Sequence, residues 1–311
     1  MQEGESRAAS AMRFDGRVAV VTGAGRGLGR AYARLLAARG ARVVVNDLGG
    51  PSDGGLQDAS PARSQQVVAE IEAAGGSAVA SGHDISTLDG ARGVIDMALE
   101  AWGRIDVVVN NAGTLKTASF ADTERSALER TMAVHVLGTW GVTQEAWRHM
   151  AEQGYGRVVI TTSAAGLYGN HTPPMAAYSA AKGAVYGLTR ALAAEGVDLG
   201  IRVNGLAPRA FTPMQAEHMT DEAQARRLAH EQPPEAVAPI VALLAHEDCP
   251  VNGEIFFAGG GRVARPFMAE TPGAAIALDA PPEKLIELLP EILAEDGYTV
   301  PQPYVAPRGM R

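Results

Sequence analysis

Residues 17–47 of this 311-residue chain, RVAVVTGAGRGLGRAYARLLAARGARVVVND, carry the clearest indication of its fold. It begins and ends with short valine-rich runs, RVAVVTG and ARVVVND, and the longer segment between them carries Ala and Leu at helical spacing. Continuous apolar runs of this length are typical of strands buried on both faces of a parallel sheet, and the segment between them predicts a crossover helix. The stretch therefore predicts a strand, a helix and a second, parallel strand.

The same alternation continues along the chain. Further strands are predicted in SAVASGHD (77–84), RIDVVVNN (104–111), RVVITTS (157–163), IRVNGLAP (201–208) and VNGEIFFAGGG (251–261), the last of which is expected to close the sheet. Helices are predicted over residues 64–76, 89–102 and 123–153 and around Tyr178. Strands that alternate with helices indicate an α/β fold with a doubly wound parallel sheet, the Rossmann fold.

We predict a single domain with appendages. Residues 1–13 are expected to be a disordered leader, residues 14–262 the α/β domain, and residues 263–311 a C-terminal extension. The extension holds one amphipathic helix, over residues 282–293, and is expected to pack on its own or a neighbouring subunit. Residues 48–63, rich in Gly, Pro, Ser and Asp, are predicted to form a surface loop inserted between the second strand and its helix.

Composition excludes several classes of function. With 27 basic and 35 acidic residues the net charge is −8, and no block of Lys or Arg stands out, which argues against nucleic acid or an anionic membrane as a partner. No stretch approaches the roughly 20 apolar residues of a membrane span, and the N-terminus has no apolar signal segment. The single cysteine, Cys249, excludes an intrachain disulfide framework and a Cys-cluster metal site, and it fits a reducing cytoplasm.

The turn after the first strand predicts a dinucleotide site. TGAGRGLG carries Gly23, Gly25, Gly27 and Gly29 between the strand and the helix. Such a turn lets backbone N–H groups and the helix N-terminus approach a pyrophosphate, which the helix dipole favours.

The residue at the end of the second strand predicts which dinucleotide binds. Asp47 lies eighteen positions after Gly29, where a carboxylate accepts hydrogen bonds from the adenosine ribose and repels a 2′-phosphate. This favours NAD over NADP. Arg26, within the turn, acts in the opposite direction because it can pair with that phosphate. The alternative for Asp47 is an ordinary turn residue at a strand end.

Two later strand ends fit the same site. Asp84, followed by Ile85 in GHDIS, is placed to accept from the adenine amino group; the alternative for this carboxylate is a helix N-cap. The run Asn110-Asn111-Ala112-Gly113 supplies small residues where the backbone must pass close to a cofactor, and amides that pin neighbouring strands.

A second motif predicts proton transfer. Tyr178 and Lys182 are four apart in an Ala-rich segment, which places both on one face of a helix. A phenol is a poor base at neutral pH, but a nearby ammonium favours its anion and lowers its pKa. Ser163 follows a predicted strand, so its hydroxyl lies at the edge where open α/β sheets bind ligands. The alternative is that these are three ordinary surface residues.

Together, TGAGRGLG, NNAG, Ser163 and YSAAK resemble the short-chain dehydrogenase/reductase family, over about residues 13–261. VVVNDLGG, the inserted loop, His135 in AVHVLGTW, GLYGN and FFAGGGRVAR are most similar to the dehydrogenase unit of peroxisomal multifunctional enzymes and its bacterial single-domain relatives. Those proteins are associated with the oxidation of (3R)-3-hydroxyacyl-CoA and hydroxysteroids.

The resemblance implies roles for individual residues. Tyr178 would exchange a proton with the substrate oxygen, Ser163 would hold that oxygen, and Lys182 would bind the nicotinamide ribose and lower the phenol pKa. His135 stands where most of the family has Asn, whose backbone carbonyl holds a water in a proton relay; its imidazole is either a buried structural group or a titrating one. The implied cofactor is NAD, no metal is implied, and the implied cofactor-binding residues are Gly23, Gly25, Arg26, Gly27, Leu28, Gly29, Asp47, Asp84, Ile85, Asn111, Ala112, Gly113, Tyr178, Lys182, Pro208 and Thr212.

The chain departs from the family pattern in two places. The spacing from Ser163 to Tyr178 is longer than usual, and the extra length falls in residues 170–178 and lengthens the lip of the substrate pocket. The usual Pro-Gly after the sixth strand is Pro208-Arg209, which makes Arg209 either an anchor for an acidic substrate group or an exposed cation. Residues 208–232 would form the lid, in which Met214 and Met219 line an adaptable apolar wall or belong to the core.

These observations predict an NAD-dependent oxidoreductase that interconverts a secondary alcohol and a ketone. Its substrate is either a 3-hydroxyacyl-CoA, whose phosphates would need Arg209, Arg226 and Arg227, or a steroid or other alicyclic alcohol. The alternatives are an NAD(H)-binding sensor without turnover, against which the presence of Ser, Tyr and Lys together argues, and an epimerase or dehydratase that uses bound NAD. By analogy with the family, a cytoplasmic homodimer or homotetramer is expected, assembled through the long helices that carry Trp140, Trp147 and Tyr186.

Overall fold

One sheet organises the protein. The computed structural model describes residues 12–55, 57, 59–169, 173–217 and 219–301. Within these ranges eight strands form a sheet in the order β3-β2-β1-β4-β5-β6-β7-β8. The strands are β1 Val18–Thr22, β2 Arg42–Asn46, β3 Ser77–Ser81, β4 Val107–Asn110, β5 Gly156–Thr161, β6 Ile201–Pro208, β7 Ile255–Gly259 and β8 Arg262–Ala264. The first seven pair in parallel, which confirms the predicted doubly wound sheet.

Helices cover both faces of the sheet. They are α1 Gly27–Ala38, α2 Ala62–Ala73, α3 Leu88–Trp102, α4 Arg125–Met132, α5 Thr139–Gln153, α6 Ala164–Tyr168, α7 Ala176–Glu195, α8 Pro213–Ala216, α9 Glu222–Glu231, α10 Ala238–Ala245 and α11 Pro282–Ile292. Along β1, Ala19 and Val21 belong to the core that includes α1, whereas Val18 and Val20 belong to the core that includes α3. Because successive side chains of a strand point to opposite faces, this alternation gives the sheet two buried faces.

The edge after β7 differs from the prediction. The last predicted strand was expected to close the sheet, and this is wrong, because β8 pairs antiparallel with β7. Gly259, Gly260 and Gly261 have φ of 147°, 57° and 73°, a region open to glycine. These three residues turn the chain back on itself and add the extra strand.

The inserted loop is tied to the carboxyl edge of the sheet. The Ser52 side chain is buried, and its carbonyl oxygen accepts from the Leu115 N–H at 2.9 Å. The Gly54 carbonyl accepts from Arg130 Nε at 3.0 Å. The prediction of a surface loop is therefore incomplete, since this part of the segment packs against residues that follow β4 and against α4.

The chain divides into two compact units between Ala264 and Arg265. In the second unit Glu270 and Thr299 form an antiparallel bridge, and Thr271 Oγ1 donates to the Ile292 carbonyl at 2.8 Å. The predicted amphipathic helix is present as α11. Most of the predicted leader, residues 1–11, lies outside the described residues.

The described helices differ from transmembrane helices in length and hydropathy. Of the helices in the described part of the chain, none combines the length and the apolar character that crossing a bilayer requires.

Candidate active site

Two glycines of the turn, Gly23 and Gly29, have no room for a side chain. A Cβ on Gly29 would lie 2.2 Å from the Gly23 carbonyl oxygen, and one on Gly23 would lie 2.7 Å from the Ala112 Cα. Gly23 and Gly27 also have positive φ, 63° and 53°. The turn therefore needs glycine both for its conformation and for the close approach of the backbone that follows β4.

The N-terminus of α1 fits the pyrophosphate of a dinucleotide. No side chain caps this helix at Arg26, so the N–H groups of its first turn are not used by a capping side chain. Thr212 and Pro213, at the start of α8, lie 3.6 Å from the position of a Cβ on Gly27. The turn is therefore bordered on one side by the segment that was predicted to form the lid.

Asp47 is held against the glycine turn. Its Oδ2 accepts from the Gly25 N–H and its Oδ1 from the Gly49 N–H, both at 2.8 Å. A Cβ on Gly25 would lie 2.8 Å from Oδ2. Backbone groups thus orient the carboxylate beside the turn, where the ribose of a dinucleotide was predicted to bind.

Two side chains hydrogen-bond to Arg26. Its Nη1 donates to Glu217 Oε1 at 3.0 Å, and its Nη2 donates to Ser52 Oγ at 2.6 Å. Ser52 Oγ in turn donates to the same Glu217 oxygen at 3.0 Å. The cation of the turn is therefore paired within the protein.

Asp84 does not cap the next helix. Thr87 caps α3, whereas Asp84 accepts from the N–H and hydroxyl of Ser86, at 3.0 and 2.7 Å, and from Arg130 Nη1 at 3.2 Å. Although burial alone would raise the pKa of Asp84, these hydrogen bonds and the charge of Arg130 bring it below its ordinary value. The group is a carboxylate at neutral pH and remains an acceptor. The next residue, Ile85, packs on Gly138.

Asn111 joins two strands beside the turn. Its Nδ2 donates to the carbonyls of Thr22 and Gly23, and the Thr22 hydroxyl accepts from the N–H groups of Asn111 and Ala112. Asn110 donates to Thr143 Oγ1 at 2.8 Å. The two amides pin strands and helices together at the carboxyl edge.

Ser163 and Tyr178 meet at this edge. Ser163 follows β5 and caps α6 by accepting from the Ala165 N–H at 3.2 Å. Tyr178, on α7, is hydrogen-bonded to Ser163. Burial raises the pKa of Tyr178 above its ordinary value, and the Ser163 hydrogen bond offsets only part of that increase.

The structure corrects one detail of the predicted chemistry. Lys182 Nζ lies 5.7 Å from the centre of the Tyr178 ring, so the two side chains share a face as expected. Lys182 was also expected to lower the phenol pKa. In the protein alone this expectation is wrong, because burial has the larger effect on Tyr178 and also disfavours the ammonium of Lys182, whose pKa falls to about 7.

His135 lies in a π-helical segment, Ala133–Gly138, that joins α4 to α5. Its Nε2 is 3.0 Å from the Thr114 N and 2.8 Å from the Thr114 O, and its ring packs edge-to-face on Tyr178 with centroids 5.3 Å apart. Burial, together with the charge of Lys182, lowers the pKa of His135 to about 3. The imidazole is therefore neutral at physiological pH, which supports its alternative as a buried structural group.

Residues 17–223 match the short chain dehydrogenase family. The chain is a member of the short-chain dehydrogenase family. It is therefore an oxidoreductase of the kind that interconverts alcohols and ketones, and the predicted family is confirmed.

Proteins similar to this chain come from the mouse and from mycobacteria. The chain is 44% identical over 268 residues to the peroxisomal multifunctional enzyme type 2 of Mus musculus, covering 86% of this chain and 35% of that enzyme. It is 43% identical over 266 residues to the putative short-chain type dehydrogenase/reductase Rv0148 of Mycobacterium tuberculosis, covering 86% of this chain and 89% of the relative. The crystal structure of a short chain dehydrogenase from Mycobacterium avium superposes with a TM-score of 0.75 and 37% identity, covering 90% of this chain and 95% of that one.

Family membership leaves the type of dinucleotide open. Among solved structures with this fold, one holds NADP and another holds NADH. The chain is thus a short-chain dehydrogenase that uses NAD or NADP.

The remaining predicted site residues of this dehydrogenase lie on its β6–α9 segment. Pro208 ends β6, Thr212 precedes α8, and Arg209 is exposed. Arg226 and Arg227 are exposed and form ion pairs with Glu222 and Glu231 of their own helix. Met214 and Met219 are half-buried, so neither is a fully buried core residue. Of residues 170–178, over which the sequence is longer than usual, residues 170–172 lie outside the described residues.

Sequence reasoning missed three residues of this edge. Ser52 lies in the inserted loop, Arg130 on α4 and Glu217 just after α8. None of them belongs to a spaced motif, and their contacts reach across 165 positions from Ser52 to Glu217 and 46 from Asp84 to Arg130. Only the fold brings them to the predicted cofactor residues.

Proposed function

We propose that this dehydrogenase uses NAD to interconvert a secondary alcohol and a ketone, with Tyr178 as the group that exchanges the proton. One observation carries the proposal: a tyrosine hydrogen-bonded to Ser163 lies one helical turn from a buried lysine, at the same sheet edge as the glycine turn. Open α/β sheets bind ligands at this edge.

The side chains divide the proton chemistry among them. NAD, when bound, supplies the hydride acceptor at the nicotinamide C4. Ser163 donates a hydrogen bond to the substrate oxygen. In oxidation the phenol of Tyr178 passes its own proton to the Lys182 amine, whose pKa is about 7, and takes the hydroxyl proton of the substrate; in reduction both transfers run in reverse. Lys182 Nζ donates one hydrogen bond to the Thr161 carbonyl at 2.6 Å. Its two remaining hydrogen-bonding positions can serve the nicotinamide ribose and the phenol. His135 supports the ring of Tyr178 as a neutral group.

Two observations support NAD as the dinucleotide. The Asp47 carboxylate is oriented by the N–H groups of Gly25 and Gly49, and it would repel a 2′-phosphate on the ribose. Arg26, the residue that favours NADP, is engaged by Glu217 and Ser52. The pyrophosphate would bind at the first turn of α1, formed by Gly27, Leu28 and Gly29. The adenine would lie against Asp84 and Ile85. The nicotinamide half would contact Asn111, Ala112, Gly113, Pro208 and Thr212.

Two substrate classes are proposed, a 3-hydroxyacyl-CoA and a hydroxysteroid or other alicyclic alcohol. The first is supported by the likeness to the multifunctional enzyme of mouse. Of the three cations considered for its phosphates, Arg226 and Arg227 are paired with glutamates of α9, which leaves Arg209. An acyl-CoA would have to compete with these glutamates, whereas an uncharged alicyclic alcohol needs no such cation.

An assay at 340 nm tests the proposal. The protein is mixed with NAD or NADP and a panel of secondary alcohols and 3-hydroxyacyl-CoA thioesters, and NADH fluorescence measures binding separately. Tyr178→Phe should reduce kcat by about 10²–10⁴ while NADH binding changes little. Tyr155→Phe is the control, because that ring stacks on Arg17 before β5, at the opposite sheet edge. Near-normal turnover of Tyr178→Phe would contradict the assignment, and dinucleotide binding without turnover of any substrate would favour the sensor.

Assembly and location are part of the same proposal. We infer a homodimer or homotetramer, supported by two exposed apolar side chains, Leu137 in the π-helical segment and Trp140 in the first turn of α5. Light scattering after gel filtration measures the subunit count. A cytoplasmic location is inferred from Cys249, a buried thiol that forms no disulfide bond. Imaging of the tagged protein in its own cells tests this location.

A further inference from the structure

Arg26, Ser52 and Glu217 form a closed ring of hydrogen bonds. Arg26 donates through Nη1 to Glu217 and through Nη2 to Ser52, and Ser52 donates to the same Glu217 oxygen, with distances of 3.0, 2.6 and 3.0 Å. The three residues come from three elements: the glycine turn, the inserted loop and the segment that follows α8. We refer to them as the Arg26 ring.

The Arg26 ring joins separate elements of the chain, which distinguishes it from the exposed ion pairs within α9. Arg226–Glu222 and Arg227–Glu231 each join neighbouring turns of one helix. In the Arg26 ring, by contrast, Ser52 is only 3% exposed, and its carbonyl oxygen accepts a hydrogen bond from the Leu115 N–H. Arg26 itself is about one quarter exposed, at 27%. A buried hydroxyl fixed by other contacts holds the guanidinium in one orientation.

That orientation bears on the choice of dinucleotide. Arg26 is the cation of the turn that can pair with a 2′-phosphate, and Asp47 lies beside the same turn. A phosphate that pairs with Arg26 must first separate it from Glu217, and it then stands next to the glutamate charge. Both effects weaken binding of a 2′-phosphorylated dinucleotide and leave NAD unaffected.

We propose that Glu217 is a second specificity-determining residue, which disfavours NADP by holding Arg26 within the ring. The inference rests on the proposed use of NAD. It adds a determinant that lies outside the glycine turn and the second strand. Discrimination against NADP then depends on the α8 segment as well as on Asp47.

Fluorescence titrations with NADH and NADPH test this role. In Glu217→Gln the charge is removed and Arg26 becomes available, so NADPH should bind about 3- to 10-fold more tightly, while NADH binding changes less than about twofold. Glu222→Gln is the matched control, because it removes the same charge from an ion pair in the following helix, and it should change neither affinity. The gain for NADPH should shrink at high salt, since it arises from an exposed charge pair.

A double-mutant cycle separates the ring from a general charge effect. If Glu217 acts through Arg26, Glu217→Gln should give no gain for NADPH in an Arg26→Gln background. A gain that persists without Arg26, a gain that Glu222→Gln reproduces, or no gain at all would each overturn the inference. Wild-type protein that binds NADPH more tightly than NADH, or that binds neither, would instead refute the proposed use of NAD.

Discussion

The Nζ of Lys182 lies 2.6 Å from the carbonyl oxygen of Thr161, with only 4% of the lysine exposed. Burial lowers the pKa of this amine from 10.5 to about 7. The side chain that the proposed reaction needs is therefore held in surroundings that disfavour its charged form.

Lys182→Met should stabilise the fold while it abolishes turnover. The unfolded state holds the lysine proton up to a pH near 10.5 and the folded state only up to about 7, so stability rises with pH between these values and the full penalty applies below 7. Replacing the amine should raise the free energy of unfolding by about 2–4 kcal/mol near pH 6 and by much less near pH 10.

Thermal unfolding at several pH values measures this effect. Lys116→Met, which removes an exposed amine paired with Glu124, should give no pH-dependent gain. If Lys182→Met were less stable than wild type at low pH, the amine would have to be well solvated or charge-paired in the folded protein.

His135 should act as a structural partner of Thr114. Because a neutral ring nitrogen either donates or accepts, Nε2 satisfies only one of the two Thr114 backbone groups near it, whereas an amide supplies both a donor and an acceptor. His135→Asn should therefore keep most activity and stability, and His135→Ala should lose about 1–3 kcal/mol by leaving buried polar groups unpaired.

The pH dependence of turnover checks the same point. With a pKa of about 3 the imidazole does not titrate between about pH 5 and pH 9, so wild type and His135→Asn should have profiles of the same shape. A limb near pH 6–7 that disappears in His135→Asn would show that the ring does titrate.

Asp106 should carry much of the stability of the edge opposite the site. Its side chain is fully buried just before β4 and accepts from the Val18 N–H, Arg17 and Arg104, at 2.9, 3.0 and 2.8 Å. Asp106→Ala leaves two guanidinium groups without this carboxylate and should cost about 3–5 kcal/mol.

Urea unfolding measures the cost at Asp106. Glu129→Ala is the control, because it breaks the exposed Arg125–Glu129 pair and should cost no more than about 1 kcal/mol. Specific activity of the Asp106→Ala protein that remains folded should be close to wild type. A cost as small as that of Glu129→Ala would mean that water replaces the carboxylate.

The sequence alone predicts the parts of the fold that local pattern determines. Valine-rich strands, the glycine turn and the four-residue spacing of Tyr178 and Lys182 depend on neighbours within one or two turns, and each is found where it was expected. The sequence does not predict the added strand β8, because the glycine run at 259–261 is compatible with a strand end as well as with a tight turn.

The remaining features of the site depend on contacts between residues distant in sequence and on how deeply each group is buried. The Ser52–Glu217 hydrogen bond joins residues 165 positions apart, and neither type of residue signals a cofactor site by itself. The pKa of Tyr178 depends on how deeply α7 and β5 bury the phenol, which helical spacing does not report. The four-residue spacing correctly predicts that Lys182 lies beside Tyr178, but it does not predict the pKa of the lysine.

Gly29 has no room for a methyl group. A Cβ there would lie 2.2 Å from the Gly23 carbonyl oxygen and 2.6 Å from Asn111 Nδ2. The carbonyl cannot withdraw without losing its hydrogen bond from Asn111, so Gly29→Ala should cost about 1–3 kcal/mol and open the turn that approaches the pyrophosphate. NADH binding should fall well below that of wild type.

Gly187→Ala provides the contrast, because this glycine lies on the exposed face of α7 with no atom within 4 Å of the added Cβ. In the middle of a helix the same change should stabilise by about 0.5–1 kcal/mol. Thermal unfolding and NADH titration of the two variants compare one methyl group at a crowded and at an open position. If Gly29→Ala and Gly187→Ala had the same stability and the same NADH affinity, the glycine turn would accommodate a methyl group at position 29. The steric reason for glycine at this position would then be wrong.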